Sequence, residues 1–139
     1  MPDTDAVVEA ILTTYPTITV VGASRDESKA AGYVPAHMQQ HGWRIIPVNP
    51  YADELLGEKV FRTLADVPDV PEFVNVFRPG DRTPDVARQA VAAGATALWL
   101  QLHIVSAEAR EIATRAGLRY VEDRCLIIEQ RRLRLDAPR

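Results

Sequence analysis

Three short stretches of the chain combine small, polar and basic residues in a way suited to holding a phosphorylated ligand. The first is Gly22-Ala23-Ser24-Arg25, with Lys29 four residues on. Glycine lets the backbone turn tightly and come close to a phosphate. The N–H groups of Ala23 and Ser24 can donate to phosphate oxygens, and the Ser24 hydroxyl adds a donor. Arg25 and Lys29 bring positive charge to the start of the next element. The second stretch is Phe77-Arg78-Pro79. A phenylalanine at a strand end can stack on a base, and arginine can reach a phosphate or stack on a ring. The third is Gln101-Leu102-His103. Any strand-to-helix turn favours glycine and serine, and a core phenylalanine followed by a surface arginine reads the same way. On residue types alone, the stretches define a class of ligand and no more.

Several other chemistries lack their residues. A G-x-G-x-x-G dinucleotide loop needs glycine at 24, where the chain has Ser24. The acid that would hold a ribose diol at the end of the second strand is replaced by Asn49, between Val48 and Pro50 and two residues after Pro47. No Gly-Lys-Ser/Thr follows the first loop, so it is not a Walker loop. His37 and His41 share a helix face at i, i+4, the geometry of a metal pair. No carboxylate or cysteine stands at a matching distance in sequence, so no metal site is expected. Cys125 is the only cysteine, which excludes an internal disulfide and a cysteine metal cluster. There is no G-x-S-x-G elbow, no nucleophile with an evident base and no motif-placed pair of carboxylates. No catalytic residue is assigned, and the residues point to holding a ligand rather than transforming it.

The elements that must position these stretches alternate. Val7, Val8, Ile11 and Leu12 have helical spacing from Asp5 to Thr14, with Asp3 or Thr4 as cap. Ile18–Gly22 reads as a buried parallel strand. A helix from Ala31 to His41 closes at Gly42, and Arg44–Val48 is a second strand. Lys59-Val60-Phe61 is expected as a brief third strand, and Thr63 as the cap of a short helical turn. Phe73–Phe77 is a fourth strand. Thr83-Pro84-Asp85 opens a helix, with Thr83 as cap, that stops at Gly94. Ala97–Gln101 is a fifth strand. Ser106 caps a helix ending at Gly117, and Leu118–Val121 is a sixth strand. Leu126-Ile127-Ile128 leads into an arginine-rich end, with fraying expected from about residue 133 to 139.

Alternating strands and helices make a doubly wound, mainly parallel α/β sheet with right-handed crossovers, in a single domain of residues 1–139. In such sheets the ligand lies beyond the carboxyl ends of the strands, where all three stretches fall. The net charge of −3 does not suit a broad nucleic-acid surface. No apolar run approaches the roughly 18 residues that span a membrane. With an acidic N-terminal stretch in place of a basic leader, the expected location is the cytoplasm.

Val20–Ser24, Gly42–Pro50, Val76–Arg78, Trp99–Leu102 and Asp123-Arg124-Cys125 occur in that order. Together they resemble the small stand-alone CoA-binding domain proteins, which are similar to the N-terminal domain of the succinyl-CoA synthetase α-subunit. The resemblance runs from about Ile11 to Gln130. It implies a Rossmann-like fold with coenzyme A lying across the strand ends. Gly22, Ala23 and Ser24, with Arg25 beside them, would hold the diphosphate region, and Lys29 would sit near the phosphates. Pro47, Val48 and Asn49 would line the groove, Phe77 and Arg78 would flank the adenosine end, and Leu100 and Gln101 the other side. The family often has glycine where this chain has His103. The synthetase's phosphohistidine domain has no counterpart here, so ligase chemistry is not carried over. The expectation is a non-catalytic binder of CoA or acyl-CoA. Its alternatives are an NAD(P)-dependent oxidoreductase, or a subunit or regulator of an acyl-CoA-handling complex. A homo-oligomer or a protein partner remains compatible with the sequence.

Overall fold

The computed structural model describes residues 3–139. Helix α1 (Thr4–Thr14) starts at Asp3, whose carboxylate accepts from Asp5 N–H, and leads into β1 (Thr17–Val21). Then follow α2 (Ala30–Gln40), β2 (Arg44–Val48), β3 (Glu54–Leu55), β4 (Glu58–Lys59), β5 (Phe73–Val76), α3 (Thr83–Ala92), β6 (Ala97–Leu100), α4 (Ala107–Arg115), β7 (Arg119–Val121) and α5 (Leu126–Leu133).

Five strands form one parallel sheet in the order β2-β1-β5-β6-β7. The chain steps outward from β1 to β2 and then returns past β1 to β5. The order therefore reverses between β1 and β5, where a crevice opens at the carboxyl ends. Successive residues in each strand face opposite layers. Ile18, Val20, Ile45, Phe73, Trp99 and Val121 pack with residues of α1, α2 and α5. Val21, Ile46, Val74, Val76, Leu98 and Leu100 pack with residues of α3 and α4. Both tryptophans are buried with their indole N–H satisfied, Trp43 by Tyr15 O at 2.9 Å and Trp99 by Arg124 O at 2.8 Å.

Three local expectations change. Lys59-Val60-Phe61 is not a strand of the main sheet. Glu58–Lys59 pairs antiparallel with Glu54–Leu55. The turn between them passes through Leu56 and Gly57, both at positive φ, as a two-residue hairpin turn requires. Only Phe61 reaches the sheet, by a single parallel bridge to Val48. Thr83 is the first residue of α3 rather than its cap. The 3-10 turn Gly80–Arg82 precedes it, and the Thr83 hydroxyl donates to Gly80 O at 2.7 Å. At the C-terminus, where fraying is expected, Leu133, Leu135 and Ala137 pack against the first core layer, and Ala137 N–H donates to His41 O at 3.0 Å.

α5 itself is held by charge. Glu129 is buried, and its carboxylate accepts from Arg124 and Arg132, each at 2.7 Å. Arg124 also reaches Asp5 on α1 at 2.9 Å. These partners lower the Asp5 pKa below its ordinary value, chiefly through the Arg124 hydrogen bond and then the Arg132 charge.

Candidate functional site

The loops after β1 and β5 meet at the point where the strand order reverses. Phe77 N–H donates to Val21 O at 2.8 Å, and Gly22 N–H donates to Val48 O at 2.9 Å. Gly22 has φ +90°, and a β-carbon there would stand 2.5 Å from Phe77 O. No other residue type fits, because both the backbone region and the space exclude a side chain. The crevice floor is thus bare backbone from two neighbouring strands.

The rest of the first loop is fixed by the helix that follows it. α2 contains Pro35, which has no N–H, so Ala31 O lacks its helical donor four residues on. Ser24 N–H fills that place, donating to Ala31 O at 3.0 Å. Of the two N–H groups expected to face a phosphate, Ala23's alone has no acceptor among the described residues. The Ser24 hydroxyl accepts from Asp26 N–H at 3.0 Å and keeps its own proton to donate outward. The Asp26 carboxylate in turn accepts from the Ser28 N–H and hydroxyl, which lowers its pKa. Gly32 lets this turn lie on the helix, since a β-carbon there would meet Asp26 O at 2.2 Å.

Asn49 joins the second loop to the first. Its Nδ2 donates to Ala23 O at 2.6 Å, and its Oδ1 accepts from Tyr51 and Ala52 N–H at 2.6 and 2.9 Å. Donor and acceptor ends are both committed, which fixes the amide orientation. Arg62 braces the same loop, donating to Asn49 O at 3.1 Å and to Ala52 O, and pairing with Asp53 at 2.6 Å.

The expected site residues divide into two groups. Gly22, Ser24, Arg25, Lys29, Asn49, Phe77 and Arg78 are exposed or half-buried around the crevice. Ala23, Pro47, Val48, Leu100 and Gln101 are buried, and Val48 and Leu100 belong to the core layer under α3 and α4. Those five offer a ligand backbone groups more readily than side chains. Among the described residues, Arg25, Lys29 and Arg78 form no salt bridge, so their charge faces solvent. Three cavities of about 390, 210 and 530 Å³ lie elsewhere, and none is lined by these residues. The expected residues are gathered at the strand ends and on the loops that follow them.

Beneath it lies a polar residue that the motifs miss. Asn75 is fully buried on the central strand, where its Nδ2 reaches Trp99 O at 3.3 Å and Gln101 Oε1 at 3.5 Å, while its Oδ1 has no partner. The one visible signal is a lone amide inside the apolar run Phe73–Val76. Away from the crevice, His37 and His41 stack at 4.6 Å. His37 Nε2 meets Gln130 Oε1 at 2.7 Å, and His41 Nδ1 meets Asp136 at 3.1 Å, so the pair anchors the C-terminal segment. No group of three or more His, Cys, Asp or Glu among the described residues is placed to hold a metal ion. No described helix is long and apolar enough to cross a membrane.

The chain is 34% identical over 121 residues to the Bacillus subtilis protein YneT, covering 87% of this chain and 90% of that one. A solved Thermus thermophilus structure, described as cell-free ID.343, superposes with a TM-score of 0.88 at 35% identity, covering 94% and 99% of the two chains. The chain is also 26% identical to an ADP-forming acetate–CoA ligase of Methanocaldococcus jannaschii; the match takes in 88% of this chain but only 19% of the ligase. The model of the CoA binding domain matches residues 16–131. With its doubly wound sheet and this match over most of its length, the chain belongs to the CoA binding domain family.

Proposed function

We propose that the chain binds coenzyme A or an acyl-CoA across the carboxyl ends of β1, β5 and β6, with the phosphates on the loop after β1. The observation that carries this reading is the contact of Gly22 with Phe77, which holds the loop after β1 against the end of β5 at the switch point while Ala23 N–H is left without an acceptor among the described residues. Ala23 N–H, the Ser24 hydroxyl and the unpaired Arg25 and Lys29 then face the anion, in a loop whose shape exists before the ligand arrives. Phe77 and Arg78 border the same crevice and suit the adenosine end. Gln101 marks the opposite side, toward which the pantetheine arm runs. In this reading the chain holds the ligand rather than converting it; among the described residues no nucleophile–base pair surrounds the loop.

Calorimetric titration with CoA, paired with thermal unfolding, tests this reading. Saturating ligand must raise stability, by about 2.7 kcal/mol at a hundredfold excess over Kd. Absence of both heat and thermal shift at millimolar CoA would end the proposal. Equal stabilisation by NADH would favour a nicotinamide dinucleotide instead. The Asn49 amide weighs against that outcome, since its Oδ1 already accepts two N–H groups and has no lone pair left for the hydroxyls of a ribose diol.

A further inference from the structure

Among the described residues, four non-glycine residues have positive φ. Leu56 belongs to the hairpin turn and Arg134 closes α5. The other two, His103 at +69° and Asp123 at +57°, lie together in the loops after β6 and β7. Ile104 N–H donates to Gln101 O at 2.9 Å, which places His103 at the third position of a tight turn. Positive φ at that position normally selects glycine. A residue with a β-carbon is disfavoured there, and such strain held in place beside a binding crevice points to use of the side chain.

Asp123 does the holding. Its Oδ1 accepts from His103 N–H at 2.8 Å, and its own N–H donates to Ile104 O at 3.2 Å. The same Oδ1 lies 4.0 Å from His103 Nδ1, and the imidazole is 87% exposed. At that distance the carboxylate is beyond hydrogen-bond reach of the ring, and neither ring nitrogen has a hydrogen-bond partner among the described residues. The position along the sheet matters too. With the phosphates on the β1 loop, β6 is two strands away and β7 three, at about 4.8 Å per strand. A ligand extended across the strand ends therefore brings its far end to His103.

We propose that His103, presented on a turn that Asp123 holds, accepts the thiol proton of coenzyme A bound across the strand ends. This rests on the CoA reading above. The S–H bond breaks, an Nε2–H bond forms, and a thiolate remains beside an imidazolium; no electrons are exchanged with the protein. Thiolate is the nucleophilic form, so bound CoA would be held ready for acylation or disulfide exchange.

The test uses Cys125→Ser protein, so that CoA carries the only thiol, and follows alkylation of bound CoA by iodoacetamide as a function of pH. Calorimetry first establishes saturation; failure to bind CoA at that step counts against the CoA reading and removes this one with it. With CoA bound, alkylation at pH 6.5 is expected to be about tenfold faster in the parent than in His103→Gly or His103→Gln. Glycine relieves the positive-φ strain, so that variant keeps its fold. Equal rates and equal pH profiles in parent and variants, with CoA bound in each, would overturn the proposal.

Discussion

Gly22 and Phe77 touch backbone to backbone: a β-carbon on the one would lie 2.5 Å from the carbonyl oxygen of the other. The contact joins the two strands between which the sheet reverses its order. Gly22→Ala is expected to cost at least about 2 kcal/mol, from the positive φ and the clash together. It should also reduce CoA binding below detection. Urea denaturation and calorimetry check both, and an unchanged midpoint would show that the two loops can part without cost.

Pro35→Ala should move stability and affinity in opposite directions. Alanine restores an N–H that claims Ala31 O, and the helix gains about 1–3 kcal/mol from losing an interior proline. Ser24 N–H then loses its acceptor, and the loop loses its shape. CoA affinity is expected to fall about tenfold, or 1.4 kcal/mol. A variant that is more stable and binds CoA as well as the parent would separate the loop's conformation from Ala31.

Asn75→Leu tests the unpartnered amide oxygen under the crevice. Leucine removes the orphaned Oδ1, and the bonds it also removes from Nδ2, to Trp99 O at 3.3 Å and Gln101 Oε1 at 3.5 Å, are long and weak, so the change is neutral or stabilising by up to about 1 kcal/mol. The expected result is an unchanged or raised unfolding midpoint. A loss beyond about 2 kcal/mol would mean that Oδ1 has a hydrogen-bond donor in solution.

The Asp5–Arg124 pair sets an acid limit. Hydrogen bonding from Arg124 and the charge of Arg132 put the folded value of Asp5 below its ordinary 3.8. Its contribution is therefore complete above that value and disappears as pH falls through the folded one. Asp5→Asn should lower stability at pH 7, and the two proteins should converge as the pH drops below the ordinary aspartate value. Parallel curves down to the lowest pH measured would show that the exposed pair contributes nothing.

What the sequence made readable was local. The β-branched run Ile18–Val21, the caps at Asp3 and Ser106, and Gly22 after the first strand follow from dihedral preferences and short-range hydrogen bonds. The same holds for the doubly wound plan, which alternation alone implies. The partnerships across the chain were hidden. Asn49 reads as a groove residue because its place after a strand is visible, but its commitment to Ala23 O, 26 residues away, is not. Lys59-Val60-Phe61 has strand composition, yet the Leu56-Gly57 turn gives Lys59 a nearer partner in Glu54. The run Leu126-Ile127-Ile128 reads only as an apolar stretch before an arginine-rich end; the helix there is not legible, because the burial of Glu129 that fixes α5 depends on Arg124 and Arg132. Asp136 stands 95 residues from His41 and still meets it. The loop residues named for phosphate were legible as types, and their free and engaged N–H groups were not.

The bond from Ser24 to Ala31 has a consequence for anyone who would move this loop. Eight residues from Gly22 to Lys29 look like a portable phosphate cassette. Their conformation, however, is written into the next helix, in a missing N–H at Pro35 and a missing side chain at Gly32. Grafted alone onto another parallel sheet, the octapeptide would carry its sequence without its shape. The smallest transferable unit extends through Pro35.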